Sequence, residues 1–161
     1  MFSYRKIISV IDNDGAILNA ADDIVFYPGT ITRVVKKLLR LFPDGDGVIG
    51  LSQRMDGQPR GRKYAHCLIG PKFADRYPGR QAYCPDYIHF CGDSELGIYA
   101  KNNKRFCFFS EARIDHTRLA DRTTELGRLV YTRDRIVFRE RQARNLLWGS
   151  SFELISKSMD I

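Results

Sequence analysis

The sequence predicts an α/β fold, a mixed sheet flanked by helices, followed by a helical C-terminal tail. Three observations lead there. Residues 24–51 read as strand, helix, strand; residues 87–109 repeat that order; and the stretch from Leu119 to Trp148 is helical in pattern and rich in arginine. At 161 residues, with 43% hydrophobic and 28% charged side chains, the chain has the length and composition of one globular domain. Those values lie outside the disordered and fibrous classes.

Each element has a local cause. Ile7-Ile8-Ser9-Val10-Ile11 and Ala16-Ile17-Leu18-Asn19-Ala20 are apolar runs on either side of Asp12-Asn13-Asp14-Gly15, whose Asp-Gly predicts a hairpin. Ile24-Val25-Phe26-Tyr27 runs into Pro28-Gly29-Thr30, a turn with threonine as N-cap. From Ile31 to Phe42 the apolar residues recur at three and four while Arg33, Lys36, Lys37 and Arg40 take the other side, which predicts an amphipathic helix. Pro43-Asp44-Gly45-Asp46-Gly47 stops it, and Val48-Ile49-Gly50-Leu51 reads as an interior strand. Gln53 to Lys63, poor in apolar residues, predicts a mobile loop, and Pro71–Tyr77 a short helix or irregular structure. Tyr87-Ile88-His89-Phe90-Cys91 predicts a strand, with His89 and Cys91 on one face. Gly92-Asp93-Ser94-Glu95 opens a helix that Asn102-Asn103 ends, and Arg105–Phe109 resumes as a strand leading to His116.

Composition also bounds function. No apolar run reaches the ~20 residues of a membrane helix, and Met1-Phe2-Ser3-Tyr4-Arg5-Lys6 lacks a signal peptide's apolar segment, which predicts a cytoplasmic chain. Lysine and arginine number 26 against 19 acidic residues, a balance of 26 − 19 = +7 that favours anionic partners. Cys67, Cys84, Cys91 and Cys107 form no Cys-x-x-Cys pair, and free thiols in a reducing compartment are the simpler reading than zinc.

Four groups of residues could carry chemistry. Asp22-Asp23 stands where a strand gives way to a loop, the place where α/β folds line their crevices. Oxygen ligands suit Mg²⁺ or Mn²⁺, which need only one or two protein carboxylates when a substrate diphosphate supplies the rest; a solvated loop accounts for the pair equally. Asp93 and Glu95, two apart at a helix start, suit a general base, or else a capping arrangement. His116 closes an apolar strand, as a metal ligand or a structural residue. Arg54, Arg60, Arg62 and Lys63 could close over a diphosphate or simply face water.

In order and spacing, two stretches resemble the GT-A nucleotide-sugar glycosyltransferases. Asn19-Ala20-Ala21-Asp22-Asp23-Ile24-Val25-Phe26-Tyr27-Pro28-Gly29-Thr30, a helix ending in Phe42-Pro43-Asp44, and Gly47-Val48-Ile49-Gly50 look like their Asp-x-Asp region. Gly92-Asp93-Ser94-Glu95-Leu96-Gly97, Arg105-Phe106 and the strand to His116 look like their acceptor-side half. The likeness runs from about Ile17 to Phe138 and covers only the second half of such a catalytic domain. It divides the chain into a GT-A-like core over residues 1–118, incomplete on its N-terminal side, and a helical extension over residues 119–161. Ala21 stands where the family often has a further aspartate, and about twenty residues precede the region where the family places its base-binding strands. The chain then reads as a fragment of a longer enzyme or as a short protein without the old nucleotide site.

The resemblance implies transfer of a sugar, with inversion, from a nucleotide diphosphate donor to an acceptor hydroxyl, assisted by Mn²⁺ or Mg²⁺. It implies that Asp23 and Asp22 hold the metal, that Asp93 is the base and that Glu95 positions the acceptor. His116 matches a histidine that lies near the metal and diphosphate in some members. Two rival readings stand beside it. One is a non-catalytic module binding nucleic acid through Arg128, Arg133, Arg135, Arg139, Arg141 and Arg144, although no specific nucleic-acid signature is present. The other is a subunit whose exposed strand edges pair with a partner chain that completes the sheet.

Overall fold

β-Branched and aromatic runs separated by one strongly amphipathic segment build a sheet with a helix on each face. A computed structural model of the chain describes residues 15–21, 23–55, 58–59, 63–117 and 123–149. The apolar run at residues 7–11 and most of the Asp-Gly turn lie outside the described residues, as do Asp22, Arg60 and Arg62. In chain order the elements are β1 (Ile17–Asn19), β2 (Ile24–Phe26), α1 (Thr30–Leu41), β3 (Val48–Met55), β4 (Gln58–Pro59) and β5 (Cys67–Ile69). There follow α2 (Pro71–Ala74), a 3₁₀ turn (Pro78–Arg80), α3 (Gly92–Asn102), β6 (Phe106–His116) and α4 (Thr123–Ala143).

The sheet is mixed, in the order β1-β5-β3-β6-β2, with β4 folded back on the end of β3. β3 and β6 run parallel at its centre, and every other pairing is antiparallel. Residues Val48 to Leu51 pair with Phe106 to Phe109, after which the register jumps and Ser52 stands opposite Arg113. The extra residues on β6 form a bulge, and Gln53 and Ile114 beyond it stay buried.

α1 covers one face. Val34, Leu38 and Phe42 share its inner side and pack on Ile49, Leu51, Leu68, Ala112 and Ile114. The other face carries Val48, Cys67 and Ile69 against Phe73, Ala74 and Tyr77 around α2 and Leu96, Tyr99 and Ala100 of α3. Each fully buried aliphatic side chain in these layers contributes about 1.5–3 kcal/mol of burial free energy. Below the sheet, Asp46, 3% exposed, accepts two hydrogen bonds from Arg76 at 3.0 and 2.6 Å and lies 3.3 Å from Arg105 Nε. This fork of charge-assisted bonds ties α2 and the start of β6 to the turn before β3.

Four local expectations are corrected. Thr30 is not an N-cap: it is the first residue of α1, fully buried, and its hydroxyl donates to the Arg113 carbonyl at 3.1 Å while Gly29 takes the cap position with φ 72°. Residues 53–63 are not wholly a loop, because β3 continues through Met55 and pairs with β4. Pro71–Tyr77 is helical only as far as Ala74. Residues 87–91 form no strand, so His89 and Cys91 share no strand face. Their backbone donors go instead to a carboxylate of α4: Ile88, His89 and Phe90 N–H groups donate to Asp134 at 3.1, 2.8 and 2.7 Å.

Candidate functional site

The topology gathers the chemistry at one end of the sheet. β6 and β3 are parallel, and α3 leads into β6 through the short link at Asn103–Arg105. The C-terminal end of this pair receives the start of β2, where Ile24 faces His116, and the junction of β1 with β5, where Asn19 faces Cys67. Asp23, Gln53, His66 and His116 therefore meet at one end, at the carboxyl side of the central parallel pair, whereas Asp93 stands on α3, which covers the face opposite α1. In open α/β sheets the carboxyl side is where ligands bind.

Asp23 precedes β2 and is held on both sides. Its carbonyl accepts from the Thr117 N–H at 2.8 Å and the Thr117 hydroxyl at 2.9 Å. Its carboxylate Oδ2 lies 2.9 Å from His116 Nε2, and Oδ1 is buried without a hydrogen-bond partner. His116 in turn has Gln53 Nε2 at 2.5 Å from Nδ1. The His66 ring, 4% exposed, stands edge-on to His116 with centroids 5.7 Å apart.

Asp93 lies on the first turn of α3, where the helix N-terminus favours a negative charge. Its Oδ1 accepts from the Ser94 N–H at 2.8 Å. The residue before the helix, Cys91, has φ 70°, a conformation unfavourable for a side chain with a Cβ, of the kind that clusters at functional sites. Residues 63–66 touch both α3, at Gly97, and His116. Gly97, one turn after Asp93, approaches Tyr64 so closely that a Cβ would stand 2.1 Å from its ring. Gly50 likewise admits the Lys63 carbonyl, which a Cβ would meet at 2.3 Å. Residues 63–66 thus pass from the α3 face to His66 beside His116, and the Lys63 ammonium, on an exposed side chain, lies 5.8 Å from the Phe108 ring centroid.

Glu95 is placed differently from its neighbour. It is 1% exposed, and its Oε1 accepts from Arg141 Nε at 3.1 Å and from the Trp148 N–H at 2.9 Å. Arg141 also donates to Asp86 at 2.7 Å. The carboxylate thus fastens the end of α4 to α3. Tyr87 lies in the same cluster, and burial, then the Glu95 carboxylate, push its phenol well above the ordinary value. Burial also raises the thiols: Cys67 to about 12, and Cys84 and Cys91 to about 11. All four cysteines are free.

Among the described residues no group of three or more His, Cys, Asp and Glu side chains is arranged around a common metal position. The donor chemistry at Asp23 nevertheless suits a hard divalent cation: a buried carboxylate oxygen with no hydrogen-bond partner. Sequence reasoning passed over Gln53, His66 and Asp134. Gln53 could have been noticed as a polar residue just past an interior strand; His66 and Asp134 carry no local signal. No helix among the described residues is long and apolar enough to cross a membrane. No protein-family model, curated protein or solved structure matches the chain.

Proposed function

We propose that this chain carries the metal-diphosphate and base side of a sugar-transfer site that uses a nucleotide diphosphate donor and a hydroxyl acceptor. The observation that supports the reading is the Asp23 carboxylate beside the end of β6, braced by His116 and with its Oδ1 buried and unpartnered; Asp93, on the first turn of α3, takes its role from the resemblance. In this reading Asp23, with Asp22 beside it in sequence, holds Mn²⁺ or Mg²⁺, which when bound neutralises charge developing on the departing diphosphate. Lys63 faces the same anion, with Arg60 and Arg62 close in sequence. Asp93 accepts the proton of the acceptor hydroxyl as its oxygen bonds to the anomeric carbon and the bond to the diphosphate oxygen breaks. Glu95 acts at one remove, by locking α4 and Trp148 beside the base.

The rival reading as a nucleic-acid module draws on the α4 arginines. Arg133 and Arg141 are turned to protein partners, at Asp86 and Asp134 and at Asp86 and Glu95 respectively, and Arg135 stacks over Tyr131, while Arg139 and Arg144 are exposed. Two of these arginines are therefore already engaged within the chain, which counts against the rival. The test is thermal denaturation with a panel of nucleoside diphosphates and Mn²⁺. One of them should raise the Tm of the wild-type chain, and Asp23→Asn should remove the rise. No shift with any of them, together with salt-dependent binding to RNA or DNA, would replace this reading with the rival.

A further inference from the structure

Behind Asp23 lies a residue that the proposed chemistry does not use directly. Gln53, 1% exposed, lies on β3 just past the register shift that the β6 bulge makes and faces Ile114 across the parallel pair. Its amide nitrogen is 2.5 Å from His116 Nδ1, and His116 Nε2 is 2.9 Å from Asp23 Oδ2. Proton bookkeeping fixes the order. An ionised carboxylate only accepts, so Nε2 carries the hydrogen; a neutral ring then has its lone pair on Nδ1, and the group facing that lone pair must donate. A carboxamide N–H does so.

We propose that Gln53 is a positioning residue: by donating to His116 Nδ1 it holds the ring as the Nε2–H tautomer, which grips Asp23 Oδ2 and leaves Oδ1 as the oxygen presented to a cation. This rests on the reading of Asp23 given above. Gln53 Oε1 is buried with no hydrogen-bond partner, and the amide is engaged through its nitrogen. Second-layer partners of this kind orient ligand groups in metal sites generally.

The tautomer can be read directly from the ring ¹⁵N shifts of the uniformly labelled full-length chain at mildly alkaline pH, with the three histidines assigned through His66→Gln and His89→Gln. In the wild type the His116 ring should show hydrogen on Nε2 and none on Nδ1. Gln53→Glu, which offers only an acceptor, should move hydrogen onto Nδ1. Gln53→Met should give a mixture of tautomers and weaken Mn²⁺ binding, followed by electron paramagnetic resonance, about tenfold. Hydrogen on Nδ1 in the wild type, or an unchanged tautomer in Gln53→Met, would overturn the proposal, and the wild-type spectrum decides it even if a variant does not fold. Failure of the wild type to bind Mn²⁺ with the expected tautomer present would count against the reading of Asp23 and leave the Gln53–His116 assignment standing.

Discussion

Glu95 and Asp93 stand two residues apart on the same helix turn and face different environments. Asp93 is half-buried and bonded to its own neighbour, whereas Glu95 is 1% exposed and pairs with Arg141 and the Trp148 backbone. Removing one partner of a buried pair strands the other charge. Glu95→Ala should therefore cost about 3 kcal/mol or more of stability, read as a lower urea midpoint, while Asp93→Asn should change the midpoint little. The sequence made the two acids visible as a pair and could not separate their roles, because the residue that distinguishes them, Arg141, lies 46 positions away in the chain. The same distance effect hid the partner of His116: its strand-end position was legible, while Gln53, 63 residues earlier, becomes its neighbour only through the parallel pairing of β3 with β6.

At the scale of elements, the bounds of α1 were readable from its period of three and four, but of its apolar residues only Val34, Leu38 and the capping Phe42 are buried, while Ile31, Val35, Leu39 and Leu41 are exposed. Leu38, 3% exposed at the centre of the buried face, predicts a loss of about 2–5 kcal/mol for Leu38→Ala, measurable by chemical denaturation. The segment before α3 was misread for an instructive reason. Tyr87-Ile88-His89-Phe90-Cys91 has strand composition, yet its N–H groups are satisfied by Asp134, fully buried on α4, whose carboxylate also accepts from Arg133 at 2.8 Å. Burial opposes the charge of Asp134, but the donations from His89, Phe90 and Ile88 and from Arg133 outweigh it and hold the carboxyl below its usual range. A folded value below the unfolded one contributes stability that is complete above the ordinary carboxylate pKa of about 3.9 and is lost as pH falls through the lowered folded value. Asp134→Asn should flatten the acid limb of the stability profile and speed hydrogen exchange at the three loop amides. Unchanged exchange would show that the loop holds its shape without α4.

Across the whole molecule, the sheet and its two helical layers followed from apolar patterning, and the gathering of Asp23, Gln53, His66 and His116 followed from topology. A strand order of β1-β5-β3-β6-β2 cannot be read from local sequence, since each pairing is a choice among edges that periodicity leaves equivalent. The shared end also depends on close approach. Gly97→Ala would drive a Cβ to 2.1 Å from the Tyr64 ring and push residues 63–66 off α3. The expected loss is about 1–3 kcal/mol, together with a weakened thermal response to Mn²⁺ and nucleoside diphosphate.

Paramagnetic broadening by Mn²⁺ tests the central claim most directly, recorded on backbone amides in the presence of the nucleoside diphosphate that raises the Tm. The account predicts selective loss of signals at Ile24, His66, Asp93 and Thr117, none at Asp46 or Asn103 at the opposite end, and recovery of every signal in Asp23→Asn. Broadening centred on Asp44 and Asp46, or loss at Ile24 with Asp93 untouched, would contradict it.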